Sequence, residues 1–130
     1  MRIKEFLLFM LLGFFCLEGF CQDQKIADSL KAIYRSDKAR QNDLSLLRLI
    51  GRNETKPDSA IKYAQLLITR AIADSNFSMA QAGFMQKGAA LRQKADFDQA
   101  LESLFSAIKY AQKLKDENKI ASSYVEIANV

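Results

Sequence analysis

Residues 81–120 read QAGFMQKGAALRQKADFDQALESLFSAIKYAQKLKDENKI, and the spacing of apolar residues in this stretch decides the fold. Phe84, Gly88 and Leu91 recur at i, i+4 and i+7, which places them on one face of a helix. Phe97, Ala100, Leu101, Leu104, Ala107, Ile108 and Ala111 form a second stripe at i, i+3, i+4, i+7 spacing. Between the two, Lys94-Ala95-Asp96 interrupts the pattern, and Asp96 is placed to cap the second helix by accepting a backbone N–H bond. Gly88, Ala100 and Ala107 are small where the two helices have to approach. The stretch predicts an α-helical hairpin.

A shift of 40 residues lays Ala60 on Ala100, Ile61 on Leu101, Ile68 on Ile108 and Ala71 on Ala111. The same shift carries Phe84 to Tyr124 and Gly88 to Ala128. Periods of this size mark stacked helical repeats. The hairpin resembles a tetratricopeptide repeat. Gly88 falls on the small residue of that family's first helix and Phe84 on the aromatic before it. Phe97 falls on the aromatic that opens the second helix, Ala100 and Ala107 on its alanines, and Leu104 on the large apolar residue between them. Lys87 departs from the pattern, since the family usually has leucine there. The resemblance implies an all-α chain, a right-handed α–α superhelix or solenoid of antiparallel hairpins. A period of 40, against about 34 in the family, is similar to that of repeats in the exported N-terminal regions of bacterial signalling proteins.

Working outward, residues 42–80 read as a degenerate repeat. Its first helix is DLSLLRLIGR, residues 43–52, and Gly51-Arg52-Asn53 is expected to end it with a left-handed C-cap. Arg48 stands where Gly88 and Ala128 stand in the other repeats. Pro57 opens the next helix, at a first-turn position where its missing N–H loses no hydrogen bond. Ala60, Ile61, Ala64, Leu67, Ile68 and Ala71 are its expected buried stripe. Residues 22–41 carry Ile26, Leu30, Ile33 and Tyr34 on one helical face, with Lys31, Arg35 and Lys38 on a charged back. That pattern suits a helix capping the end of a repeat stack. Downstream of the central repeat (81–120), Asp116-Glu117-Asn118 breaks the pattern. Ala121, Tyr124, Ile127 and Ala128 in residues 121–130 then begin the first helix of a truncated repeat, with further repeats expected beyond Val130.

Residues 1–21 read as a signal peptide. Arg2 and Lys4 give a positive start, and residues 6–17 form an apolar run of 12, short of the roughly 20 needed to span a bilayer. Cleavage is expected between Cys21 and Gln22, and retention as an anchor is the alternative. Both cysteines, Cys16 and Cys21, fall in this segment, so the processed chain holds together by packing alone. The expected location is periplasmic or extracytoplasmic.

The chain of 130 residues has room for one domain. Its net charge of +4 is mild, and the charged residues are mixed in sign, so no basic block points to nucleic acid. Membrane association is expected only through export or a downstream anchor. The absence of histidine rules out His-dependent triads and His metal sites. Five scattered glycines form no phosphate-cradling loop, and Asp96 and Asp98 read as helix-start residues. No catalytic, metal-ligating or cofactor-binding residue is expected in this stretch.

The resemblance implies a protein-binding surface instead, a concave groove lined by first helices that grips a peptide. Its positions fall on Asn42, Ser45, Leu49 and Arg52 of the degenerate repeat. In the central repeat they fall on Ala82, Met85, Gln86, Ala89, Arg92 and Gln93, and in the last on Ser122, Val125 and Asn129. The family's clamp for C-terminal carboxylates uses Lys and Asn at places held here by Met85 and Ala89, so that ligand class is not expected. The alternative function is the sensory front of a larger membrane signalling protein. Its output domain, a histidine kinase, nucleotide cyclase or transcriptional regulator, would follow Val130.

Overall fold

A computed structural model describes residues 24–130, so the expected signal segment and its cleavage point lie outside the described residues. The described chain is helical, with no strand among these residues. Helix α1 covers residues 24–36. A short 3-10 helix, Lys38–Asn42, joins it to α2 (Leu44–Asn53). Then come α3 (Pro57–Ala73), α4 (Phe77–Gln93), α5 (Phe97–Lys113) and α6 (Glu117–Ala128). Helices α3, α4 and α5 are each 17 residues long. None of the described helices is long and apolar enough to cross a membrane.

The turns between α3 and α6 share one chemistry. Each preceding helix ends on a residue in the left-handed region: Ser75 (φ 52°), Ala95 (φ 59°) and Lys115 (φ 53°). The next residue then bonds back to the helix it leaves. Asn76 N donates to Ala71 O at 2.8 Å, Asp96 N to Leu91 O at 3.0 Å and Asp116 N to Ala111 O at 3.2 Å. These are the six-to-one closures of a Schellman motif. The side chain of the same residue caps the helix that follows. Asn76 accepts from Met79 N at 3.2 Å, Asp96 from Gln99 N at 3.4 Å and Asp116 from Lys119 N at 3.1 Å. One residue therefore satisfies orphan backbone groups on two helices.

Helix α4 is packed between α3 and α5 and also touches α2 and α6. Two glycines let it approach its main neighbours. A Cβ at Gly83 would lie 2.7 Å from Ile68 Cγ1 and 3.3 Å from the Ile68 backbone nitrogen. At Gly88 it would lie 2.8 Å from Leu104 Cγ and Cδ2. The burial of residues 60–71 in α3 repeats position for position in residues 100–111 of α5, the expected shift of 40. The bulk is redistributed within that frame. Buried Tyr63, Ala64 and Leu67 correspond to buried Ser103, Leu104 and Ala107.

The N-terminal part is built differently. Leu46, Leu47, Ile50, Tyr63 and Leu67 form a buried apolar cluster, against which Leu30 and Tyr34 of α1 and Met79 of α4 pack. Tyr34 meets Tyr63 edge-on, with ring centroids 5.8 Å apart, and its hydroxyl accepts from Arg70 Nη2 at 3.2 Å. Beside this cluster, Lys31 Nζ donates to Glu54 Oε2 at 2.6 Å. The side chains of this pair are only 11% and 0% exposed. Glu54 also accepts from Ser59 Oγ at 2.8 Å and from Lys56 N at 3.1 Å. Burial by itself pushes the Glu54 carboxyl up, but Lys31, Lys56 N–H and Ser59 together hold it below its ordinary 4.5. Burial likewise lowers Lys31, and its bonds to Glu54 and Asp28 outweigh that and raise it above 10.5.

Several expectations change here. Helix α1 stops at residue 36 rather than 41, and Asp37 caps the 3-10 segment through Ala39 N. Its buried face holds Ala27 and Lys31, while Ile26 and Ile33 are exposed, so the expected charged back is partly the inside. Gly51 does not end α2 in a left-handed turn. It lies buried within the helix, where a Cβ would meet Gln86 Oε1 at 2.6 Å, and its role is close approach. Phe97, expected in the buried stripe of α5, is 48% exposed at the first residue of that helix. In α6 the buried residue is Ser123, and Tyr124 is 53% exposed.

Candidate functional site

Helices α2 and α6 touch the same central helix, α4, and leave a depression of about 310 Å³ between them. Arg48 and Arg52 of α2 form one wall and Lys119 and Ser122 of α6 the other. Gln81, Ala82, Met85 and Gln86 of α4 make the floor. The sequence accounts for this placement. Arg48 and Arg52 are one helical turn apart, as are Gln81 and Met85, so each pair shares a face. Asp116 starts α6 by capping Lys119 N, which sets Lys119 and Ser122 together on its first turns.

The floor is pinned from both sides. Gln86 Nε2 donates to Arg48 O at 2.9 Å, tying α4 to α2. Toward α6, buried Gln81 places Nε2 3.5 Å from Ser123 Oγ, which itself donates to Lys119 O at 2.8 Å. Gln86 Oε1 is buried without a hydrogen-bond partner, turned toward Gly51. Electrostatically the depression is one-sided. Three of its eight lining residues are cationic and none is acidic. Arg48 and Arg52 are exposed and make no ion pair among the described residues, whereas Lys119 reaches Asp116 at 3.6 Å.

Of the groove residues expected from the sequence, Arg52, Ala82, Met85, Gln86 and Ser122 come together in this depression. Leu49, Ala89, Gln93, Val125 and Asn129 are accessible on the same three helices but do not line it, and Val125 is 60% exposed. Arg92 is committed elsewhere, 3.6 Å from Glu126 and 3.5 Å from the Asn129 carbonyl, so it braces α4 against α6. Arg48, Gln81 and Lys119 were missed. The available signal was helical spacing, since Arg48 precedes Arg52 by four, Gln81 precedes Met85 by four and Lys119 precedes Ser122 by three.

Two other depressions are less organised. One of about 420 Å³ is open and lined only by residues 94–98 of a single turn. One of about 90 Å³ lies between α4 and α5 beside Phe84 and Lys87. Among the described residues no group of three or more His, Cys, Asp or Glu could hold a metal ion. Compared with known proteins, the chain matches no family model, no curated protein and no solved structure.

Proposed function

We propose that this chain is a non-catalytic protein-binding module built of tetratricopeptide-like hairpins, with its partner seated across α2, α4 and α6. One observation carries the reading: a single depression is lined by three helices that alternate along the chain, with five of the residues that the resemblance implies for a peptide groove. The recurring turns and the burial match between α3 and α5 support stacking as a solenoid. Residues 1–21 are proposed to direct export, which places the module outside the cytoplasm.

The test is selection of binders from a random peptide-display library against the full chain, followed by Met85→Arg. Met85 is half-buried in the floor, so a long cation there fills the groove. Selected peptides are expected to lose binding to Met85→Arg while its helical circular dichroism stays unchanged. Peptides that bind the variant equally well place recognition elsewhere and remove this reading. For export, mass spectrometry of the expressed product is expected to find Gln22 at the N-terminus; an intact Met1 overturns it.

A further inference from the structure

Resting on the binding-module reading, we infer that the groove takes an extended acidic peptide segment, whose side-chain carboxylates meet Arg48 and Arg52 along the α2 wall. The charge balance comes first. Both arginines are exposed and lack an ion pair among the described residues, so neither has to be released from a carboxylate before a ligand arrives. Their spacing of four residues places them about one turn, roughly 5–6 Å, apart on α2. In an extended strand, side chains two apart point to the same side about 6–7 Å apart. Acidic residues at i and i+2 therefore match the two guanidinium groups. The residue between them turns the other way, across the floor of Met85 and Ala82 toward the α6 wall. Arginine also suits this role because its planar fork can bind a carboxylate in a bidentate manner.

The wall that carries these charges is held in place. Gln86 Nε2 donates to the Arg48 carbonyl at 2.9 Å, so α2 cannot slide along α4 without losing that bond. A peptide is favoured over a single-stranded nucleic acid by what the lining lacks. Nucleobases bind by stacking on aromatic platforms, and no aromatic residue lines this groove. Phe77 and Phe84 of α4 pack on Tyr110 of α5 instead. Side-chain carboxylates are favoured over a chain terminus because Arg48 and Arg52 are spread along α2 rather than converging on one point.

The experiment is fluorescence anisotropy of the full 130-residue chain with a labelled, C-terminally amidated peptide of about 12 residues alternating Asp and Leu, a length chosen to outrun the span of a single helix. Its comparison ligands are the same peptide with Asn for Asp, the free-acid form, and an oligothymidine of equal length. The amidated acidic peptide is expected to bind at least about tenfold more tightly than the Asn peptide, and to weaken as salt rises. Arg48→Glu/Arg52→Glu is expected to weaken it by about tenfold or more, while Arg35→Glu/Lys109→Glu, exposed on α1 and α5, leaves it unchanged. Equal binding of the Asp and Asn peptides, lost on Met85→Arg, overturns the acidic specificity and leaves the groove reading standing. Binding of the free acid alone overturns it in favour of chain-terminus capture, and tighter binding of the oligonucleotide overturns it in favour of nucleic acid. If no peptide binds and Met85→Arg changes nothing, both readings fail.

Discussion

At the α4–α5 turn, the backbone of Lys94-Ala95-Asp96 and the Asp96 cap reverse the chain with bonds that stay within a few residues, from Leu91 O to Gln99 N, and the exposed Lys94 ammonium adds a tie to Asp58 of α3 at 2.6 Å. At the α2–α3 connection, Glu54-Thr55-Lys56 make the same reversal with no left-handed residue, and Lys56 supplies no side-chain cap to α3. The organising group there is the Glu54 carboxylate, which binds Lys56 N–H and Ser59 locally and Lys31 of α1 across 23 positions. Gln24 adds a second tie by accepting from Thr55 N at 3.0 Å. The first kind of turn closes its backbone and cap locally. The second holds only while α1 is docked, so the N-terminal region depends on a buried charge pair, whereas the pairs elsewhere, Arg92–Glu126 and Lys94–Asp58, are exposed or half-exposed.

The largest effect should come from cutting that pair. Glu54→Ala leaves the buried Lys31 ammonium with only exposed Asp28 as a partner and removes the acceptor of Ser59 and Lys56 N–H, at a cost of about 3–5 kcal/mol. Hydrogen exchange should show α1 amides accelerating far more than those of α5. If both helices speed up equally, the two regions are not energetically separate. Acid tests the same point without mutation. The folded-state value of Glu54 lies below its ordinary 4.5, so its contribution is full above that pH and fades as pH falls through the depressed value. Lys31 lies above its ordinary 10.5, so its contribution is full below that pH and fades only as pH rises through the raised value. A stability plateau between these limits, with α1 loosening first on the acid side, is the expected profile.

Leu104→Ala strikes the other region. Leu104 is fully buried against Gly88, and the truncation should cost about 2–5 kcal/mol in chemical denaturation. A change under about half a kcal/mol is the size of an ordinary surface substitution and contradicts the packing. Gly88→Ala approaches the same contact from the opposite helix. Overpacking against Leu104 should destabilise by about 1–3 kcal/mol, despite alanine's better helix propensity. Gly51→Ala is its counterpart in the N-terminal region, where the atom it meets is the far end of the Gln86 side chain, which can give way only by losing its bond to the Arg48 carbonyl. The smallest effect has the other sign. Ala95 sits at φ 59°, a conformation that costs a residue with a Cβ about 1–2 kcal/mol. Ala95→Gly should therefore raise the melting temperature slightly, whereas Thr55→Gly, at a connection without such strain, should not.

The same contrast explains what the sequence made legible. The Asp96 cap, Pro57 at the start of α3 and the stripes of α3 and α5 all rest on interactions within one or two helical turns, and each is found where periodicity places it. Ile61 and Leu101 lie at the edge of their stripes and are half-buried, while Tyr63 and Ser103, outside the expected stripes, are buried. Lys31 was misread because its partner is not a helical neighbour and local charge patterning puts lysine outside. Gly51 was misread because a glycine near a helix end signals a turn unless another helix passes close by. In the site, the floor residues Ala82, Met85 and Gln86 follow from which face of α4 remains after α3 and α5 are packed. The cationic wall does not, since only the folded chain brings Arg48 of α2 and Lys119 of α6 to the same depression.

The doubled role of Asn76, Asp96 and Asp116 bears on how the molecule acquires its structure. Each ends one helix and begins the next, so forming either helix pre-organises a terminus of its neighbour. Nucleation is the costly step for a helix, and here one nucleus lowers that cost for the helix beside it. The close packing that follows, α3 on α4, α4 on α5 and α5 on α6, joins helices adjacent in the chain. Chains dominated by such local contacts fold fast, in roughly microseconds to milliseconds. Order should spread outward from α4, and α1, which must wait for Lys31 to find Glu54, should be the last to settle.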